Sequence, residues 1–292
     1  MTYFGFLIRF VFLPTLILLA IALCDNRHGK LIHGFRNGRA VWIAIGIHVL
    51  LAVVYTTPWD NYLVATGVWY YNPDLVTGFV IGYVPIEEYT FFVVETILAG
   101  SWWWLLARTL TLPSPKGKVG FRPNKRLVFV SACLLISLWL IFTYLFFFGD
   151  EKWTYLSITL FWALPAILPQ FLIGADILWH YRKLAALSIL VPGTSLSLMD
   201  IIALRETTWS ISPSQTTGIL FLGILPLEEA VFFFITNIMI TFGMTLLLAN
   251  VSQERFSEIK KQFQAWKVRR ALHPQARSRD RESICAKENA SG

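Results

Sequence analysis

Long runs of apolar residues, separated by short polar segments, dominate the pattern along this chain. Seven runs are long enough, or nearly so, to cross a hydrocarbon core of roughly 30 Å, which takes about 20 helical residues. They lie at 3–23, 40–57, 79–107, 127–148, 153–174, 184–204 and 217–249, the second being the shortest. The pattern predicts an all-α polytopic membrane protein with about seven transmembrane helices.

The residues between and within these runs recur at nearly constant spacing. Counterparts 140 residues apart are Asp60 and Asp200, Trp69 and Trp209, Pro73 and Pro213, and Thr77-Gly78 and Thr217-Gly218. After one inserted residue the spacing becomes 141, and Pro85-Ile86-Glu87-Glu88 matches Pro226-Leu227-Glu228-Glu229. Upstream, Pro14 and Asp25 match Pro165 and Asp176 at a spacing of 151. The chain therefore contains an internal repeat.

This repeat defines the predicted organisation of the chain. Repeat one covers 1–108, a linker helix covers 127–148, and repeat two covers 153–249. Because three helices is an odd number, direct fusion would invert the second repeat, and the linker helix restores its direction. We expect two parallel three-helix repeats related by a pseudo-twofold axis along the membrane normal.

The first apolar run is expected to be a mature helix rather than a signal peptide, since it has a counterpart in repeat two and no basic segment precedes it.

Basic residues are segregated between the two sides that seven crossings define. Of the 25 Lys and Arg residues, 22 fall in the 24–39 and 108–126 loops, at 182–183 and in the tail from 250, and 3 fall on the other side. By the positive-inside rule the N-terminus faces out and the C-terminus faces the cytoplasm. Since the net charge of +7 resides mainly in these cytoplasmic segments, it requires no nucleic-acid partner.

The basic tail at 250–292 carries an amphipathic pattern at about 251–272. Phe256, Ile259, Phe263 and Trp266 recur at helical spacing among Lys and Arg. This pattern is typical of a helix lying on the anionic inner leaflet, and a solvated tail helix is the alternative.

Composition agrees with a membrane protein and narrows its chemistry. Hydrophobic residues make up 55% of the 292 and charged residues 15%, against about 25% charged in soluble domains. Cys24, Cys133 and Cys285 share no CxxC spacing, and the five histidines form no ligand pair. Neither a disulfide framework nor a metal site is predicted.

The Pro-x-Glu-Glu sequence of each repeat is the main candidate for chemistry. Proline at the first helical position and glutamate in the first turn could simply start a helix. However, seven or eight apolar residues precede each proline and both acids recur, and carboxyls at membrane depth usually mark functional sites. The expected catalytic residues are Glu87, Glu88, Glu228 and Glu229. Four carboxyls crowded in one low-dielectric cleft cannot all ionise, so at least one should be protonated at neutral pH and act as a general acid.

Neighbouring residues complete the predicted site. The expected substrate-binding residues are Tyr83, Tyr89, Phe92, Glu95, Phe233, Asp60 and Asp200. Glu95 shares a helix face with Glu88 and has no acidic counterpart in repeat two. Aromatic faces stabilise cations. An apolar cleft with a protonated acid and aromatic faces suits the protonation of an alkene and the guidance of a carbocation.

At these residues the chain resembles the small integral-membrane lycopene cyclases. These occur as two-subunit or fused bacterial and archaeal enzymes, and as a domain of the fungal bifunctional lycopene cyclase/phytoene synthases. The family hallmark, Pro-x-Glu-Glu/Asp in each half, stands at 85–88 and 226–229, and the context from Trp59-Asp60 to Trp69 and Gly82 to Tyr89 is similar. The resemblance covers about residues 1–249. It implies proton-initiated, carbocationic, non-redox cyclisation of the acyclic ends of lycopene to β-ionone rings.

The resemblance also implies partners and cofactors. The substrate is expected to be a lipid-soluble carotenoid reached from the bilayer, with other carotenoid-pathway enzymes as neighbours. No cofactor is expected, because the chain has no GxGxxG dinucleotide fingerprint. The alternatives are a transporter or proton-conducting membrane protein, since repeats and buried acids are typical of those proteins too, or a cyclase for C50 or monocyclic carotenoids.

Overall fold

Seven helices long and apolar enough to cross a membrane make up most of the computed structural model, which describes residues 1–28, 32–112, 124–258 and 260–267. We number them α1 (Tyr3–Asp25), α2 (Arg39–Ala65), α3 (Ile86–Thr109), α4 (Lys125–Phe148), α5 (Thr154–His180), α6 (Arg182–Arg205) and α7 (Leu227–Leu248). The predicted all-α polytopic fold is confirmed. Helices α3 and α7 are the most buried of the seven, whereas Ala132 is the one buried residue of the linker helix α4.

Several helix bounds differ from the sequence prediction. Helix α2 does not end at 57 but continues through Pro58 to Ala65, because neighbouring helices and local adjustments let membrane helices tolerate proline. Helix α5 continues past 174 to His180 through a kink at Gly174, whose φ and ψ are −156° and 34°. Helix α1 contains a π-helical turn at Ile8–Phe12, which follows the α-helical segment Tyr3–Leu7; the α-helical segment that begins at Leu13 continues two residues beyond the apolar span, to Arg27.

The apolar runs before α3 and α7 form β-hairpins instead of helical turns. Strands β2 (Val80–Ile81) and β3 (Val84–Pro85) pair before α3, and β5 (Leu220–Phe221) and β6 (Leu225–Pro226) pair before α7. The prediction of helix from 79 and 217 is therefore wrong. Gly82, with φ of 69°, begins the two-residue turn of the first hairpin. The second turn has three residues, so the inserted residue of repeat two lies in a turn and leaves the strands in register.

One more strand from each repeat joins the two halves of the molecule. Strand β1 (Trp69–Tyr71) pairs antiparallel with β4 (Trp209–Ile211), with Tyr70 opposite Ser210. The Asn72 N–H donates to the Thr208 carbonyl at 3.1 Å, and the Ser212 N–H donates to the Val68 carbonyl at 2.9 Å. These bonds extend the pairing equally at both ends.

Part of the predicted tail helix is described. Residues 250–258 and 260–267 are helical, and Phe256, Phe263 and Trp266 are exposed. The rest of the predicted tail helix, Ile259 and the stretch 268–272, lies outside the described residues. The same is true of four basic residues of the loops and of one cysteine, namely Lys30, Lys116, Lys118, Arg122 and Cys285. The association of this helix with the inner leaflet stays a prediction.

Candidate active site

Each Pro-x-Glu-Glu motif joins a hairpin to the first turn of a helix. Pro85 and Pro226 are the N-caps, and both glutamates of each motif lie in the first turn of α3 or α7. The first helical N–H groups are bound by the hairpins, Ile86 donating to the Phe79 carbonyl at 2.8 Å and Leu227 to the Ile219 carbonyl at 2.9 Å. Because adjacent helical residues point about 100° apart, the two acids of a motif face different surroundings.

The first glutamate of each motif holds the loop that precedes it. Glu87 Oε1 accepts a hydrogen bond from the Thr77 N–H at 2.6 Å, and Glu228 Oε1 accepts one from the Thr217 N–H at 2.7 Å. Both side chains are fully buried, and neither lines the cavity described next. One oxygen of each of these two carboxyls therefore holds the backbone of the preceding loop.

The second glutamates, Glu88 and Glu229, line one central cavity between the two repeats. Asp200 lines the same cavity. The rest of the wall is largely aromatic or apolar and consists of Tyr3, Phe6, Trp69, Tyr71, Phe91, Leu196, Met199, Trp209, Phe232 and Phe233. The strand pair β1–β4 supplies three of these residues. The structure therefore brings one carboxyl from each motif to a shared apolar cavity.

Tyrosine hydroxyls bind both of these carboxyls, but unequally. Glu88 Oε2 accepts hydrogen bonds from Tyr3 and, at 3.0 Å, from Tyr71, whereas Glu229 Oε2 accepts one from Tyr155. The position equivalent to Tyr71 in repeat two is Ile211, which has no hydroxyl. Burial, with the Glu88 carboxylate close by, raises the pKa of the Tyr71 phenol well above its usual value. Tyr71 is therefore a hydrogen-bond donor at neutral pH.

The two predicted aspartates occupy different positions although they are counterparts. Asp200 lines the central cavity and its Oδ1 accepts a hydrogen bond from Trp209 Nε1 at 2.8 Å. Asp60 instead lines a separate, smaller cavity, and within the described chain neither of its carboxyl oxygens has a hydrogen-bond partner. The symmetry of the sequence is thus broken at the site.

The remaining predicted residues divide among three places. Phe233 lines the central cavity, and Phe92 and Glu95 line a larger cavity of about 340 Å³ deeper in the helix bundle. Tyr83 is 65% exposed in the turn of the first hairpin. The Tyr89 hydroxyl donates to the Ile81 carbonyl at 3.2 Å and accepts from Asn61 Nδ2 at 3.1 Å, which supports that hairpin. Neither Tyr83 nor Tyr89 lines the central cavity.

Sequence reasoning did not identify Tyr3, Tyr71 or Tyr155. Tyr3 and Tyr155 are 152 residues apart, one more than the spacing of 151 that aligns Pro14 with Pro165. The π-helical turn at Ile8–Phe12 lies between Tyr3 and Pro14 and accommodates this extra residue. A gap in the alignment of the first helices was the signal that could have found the pair. As for metals, the described residues contain no cluster of His, Cys, Asp or Glu that could hold an ion.

Comparison with known proteins gives a family match over both repeats. The profile of the family described as Lycopene cyclase matches residues 6–103 and 151–247, which together exceed half of the chain. The chain belongs to the lycopene cyclase family. The family match omits 104–150, the segment that contains the linker helix α4.

Relatives within the lycopene cyclase family include archaeal and fungal proteins. The lycopene beta-cyclase of Halobacterium salinarum is 36% identical over 218 residues, covering 71% of this chain and 83% of that protein. The bifunctional lycopene cyclase/phytoene synthases of Podospora anserina and Aspergillus oryzae are each 33% identical over 211 residues. The match spans 35% of the length of each fungal protein. No solved structure matches this chain.

Proposed function

We propose that this chain is a lycopene β-cyclase, which isomerises the acyclic ends of lycopene to β-ionone rings. The observation that carries the proposal is the convergence of Glu88 and Glu229 on one cavity whose other walls are mainly aromatic and apolar. A carboxylic acid kept from bulk water can protonate an alkene, and such walls suit a hydrocarbon end group. The resemblance of the chain to a named lycopene beta-cyclase supports the same substrate.

The proposed reaction needs one proton donor and one proton acceptor. The acid delivers a proton to the terminal carbon–carbon double bond, which leaves a tertiary cation. The electrons of the neighbouring double bond form the new ring bond to that cation, and the cation moves to the ring carbon left behind. Removal of a proton from the adjacent ring carbon restores a double bond, so the product is an isomer of the substrate. The rings of Trp69, Phe232 and Phe233 stabilise the cations through their faces.

The unequal tyrosine bonding supports an assignment of the two roles. Hydrogen bonds donated to a carboxylate favour its ionised form, and Glu88 receives two phenol hydroxyls whereas Glu229 receives one. We therefore assign Glu88 as the general base and Glu229 as the general acid. Two like charges in one low-dielectric cavity are unfavourable, which also supports one ionised and one neutral carboxyl.

The test is turnover by the purified chain in lipid nanodiscs supplied with lycopene alone. We expect products with one or two β-rings to accumulate without added flavin, nicotinamide or metal. Conversion only in the presence of reduced flavin would contradict cyclisation without a cofactor. If no cyclised product forms and the same protein in liposomes conducts protons, the transporter alternative is correct. Parallel reactions with a C50 and with a monocyclic carotenoid define the substrate range.

A further inference from the structure

We propose that the larger cavity binds the polyene chain of the substrate while the end group occupies the central cavity, an inference that rests on the proposed cyclase function. We call it the chain cavity. It lies between α2, α3, α5 and α7 and is lined by His48, Leu51, Ala52, Tyr55, Thr56, Phe92, Glu95, Thr96, Trp162, Pro165, Ala166, Gln170, Phe232, Thr236, Met239 and Ile240. Its volume of about 340 Å³ lies within the range for small-molecule sites, about 300–1000 Å³.

The chain cavity and the central cavity share one lining side chain. Phe232 lines both of them, and its ring stacks on Trp162, which lines the chain cavity, with centroids 6.3 Å apart. Glu95 lies seven residues after Glu88 on the same helix, which places it about 10 Å deeper along α3. A long molecule with its end beside Glu88 would pass Phe232 and continue along the chain cavity.

The chain cavity opens toward the lipid between α2 and α5. Two of its lining residues on α2, Leu51 and Tyr55, are 55% and 36% exposed, and both lie in the middle of the helix. Exposure at that depth is exposure to hydrocarbon. Beside the opening the two helices are tied by reciprocal hydrogen bonds, Tyr55 hydroxyl to the Trp162 carbonyl at 2.7 Å and Trp162 Nε1 to the Tyr55 carbonyl at 3.3 Å.

The polar groups in this wall are largely occupied by the protein itself. His48 Nδ1 contacts the Ala44 carbonyl at 2.7 Å, and the Thr96 hydroxyl donates to the Phe92 carbonyl at 2.7 Å. Glu95 Oε1 accepts from Thr236 at 3.3 Å and from Asn237 at 3.4 Å. The wall left for a ligand is therefore mostly methyl groups and aromatic rings, which fits a hydrocarbon chain. A phospholipid acyl chain shares that chemistry, but the position of the chain cavity next to the acid-lined cavity, with Phe232 in both walls, favours the substrate.

This arrangement has a consequence for the number of rings formed. With one end group beside Glu88 and the chain leading out between α2 and α5, the opposite end of the substrate lies in the bilayer. One end is then cyclised in each binding event. The monocyclic product must leave and re-enter in the reverse direction before a second ring can form.

The experiment fills the chain cavity without touching the central one. Ala166→Phe and Ala52→Phe each add an aromatic ring to its wall. The matched controls, Leu172→Phe on α5 and Val54→Phe on α2, change residues that are 51% and 62% exposed and do not line the cavity. All four variants and the unaltered chain are compared in nanodiscs with two substrates, lycopene and an acyclic polyene truncated just beyond its ring-forming end. Thermal melting of each variant verifies folding.

We expect the two filling variants to lower kcat/KM for lycopene by about tenfold or more, the scale on which apolar pockets discriminate shape. The truncated substrate should be cyclised by all five proteins at similar rates. Equal losses for both substrates, or no loss for lycopene, would overturn the proposal. Native mass spectrometry that finds a phospholipid bound to the unaltered chain and absent from the filling variants, with lycopene turnover unchanged, would assign the cavity to lipid. Failure of the unaltered chain to cyclise either substrate would instead refute the proposed function.

Discussion

The backbone of Tyr70 pairs with that of Ser210, the residue that occupies the same position in the second repeat 140 residues later. Antiparallel strands that pair around two equivalent residues are related by a local twofold axis through that pair. The flanking residues Tyr71 and Trp209 both line the central cavity. The short strand pair therefore joins the repeats and forms one wall of the candidate site.

This pairing supports a specific membrane topology. The segments that follow α2 and α6 meet at β1–β4, so they must lie on the same side of the membrane, as parallel repeats require. Combined with the basic segments at the opposite helix ends, it predicts that a reporter fused at 70 reads as external and that fusions at 115 and 275 read as cytoplasmic. A fusion at 115 that reads as external would contradict the predicted orientation.

The acidic residues at the basic side are predicted to stabilise the fold without catalysing. Asp25 pairs with Arg108 at 3.4 Å, and its counterpart Asp176 pairs with Arg255 at 2.6 Å. The two arginines also donate to equivalent carbonyls, those of Ala22 and Ile173. Removal of one partner from a buried ion pair costs up to about 3–5 kcal/mol of stability. Asp176→Ala should therefore lower the melting temperature while each folded molecule keeps a normal turnover rate.

The comparison for that prediction is Asp200→Ala, which removes a carboxyl from the central cavity wall. Turnover per folded molecule should fall in this variant and remain normal in Asp25→Ala and Asp176→Ala. Loss of turnover in Asp176→Ala at normal protein levels would move the site to the cytoplasmic side.

The sequence predicts those features of the site that leave a pattern of residue types at fixed spacing along the chain. The motif acids follow fixed spacings, so their convergence could be anticipated. The hairpins could not be predicted, because Phe79, Val80 and Ile81 form an apolar run that is typical of a membrane helix. These residues are 53–75% exposed, and their backbone groups are paired within the hairpin, which is compatible with an apolar environment.

Helix geometry predicts that the two glutamates of a motif face different surroundings, but not which of them faces the cavity. Both glutamates of a motif are equally acidic in the linear pattern, and only the backbone fold decides which one faces the cavity. Thr77 and Thr217, whose N–H groups bind Glu87 and Glu228, lie ten or eleven residues upstream. Likewise the Tyr3 hydroxyl reaches Glu88 from another helix, with a register set by the π-helical turn.

The second hydroxyl on Glu88 gives a sharp prediction. Tyr71→Phe removes one hydrogen bond to a carboxylate, an interaction of about 1.5–3 kcal/mol, so kcat should fall about 10- to 100-fold. KM should change little if this bond supports the reaction step rather than binding. Tyr70→Phe is the matched control, since Tyr70 is the adjacent residue of the same strand, is 54% exposed and does not line the cavity. Equal rates for Tyr71→Phe and Tyr70→Phe would remove Tyr71 from the mechanism.

Single glutamine substitutions at the four motif glutamates should separate into two pairs. Glu87→Gln and Glu228→Gln keep a side-chain oxygen that can accept from the Thr77 and Thr217 N–H groups, so most activity should remain. Glu88→Gln and Glu229→Gln remove a carboxyl from the central cavity, and the rate should fall on the order of 10²–10⁴-fold, the usual contribution of general acid–base catalysis. Near-normal lycopene conversion by all four variants, with expression verified, would reduce the motif to a helix start.

Deuterium exchange then distinguishes the acid from the base. If Glu229 donates the proton, Glu229→Gln cannot form the first cation, and lycopene recovered from D₂O should carry no deuterium at its end groups. If Glu88 accepts the final proton, Glu88→Gln can still protonate the terminal double bond. The cation then returns to lycopene by losing a hydrogen from the carbon that was protonated, so recovered lycopene should acquire deuterium. Deuterium exchange requires the acid but not the base. The reverse pattern, with deuterium uptake in Glu229→Gln and none in Glu88→Gln, would therefore make Glu88 the acid and Glu229 the base.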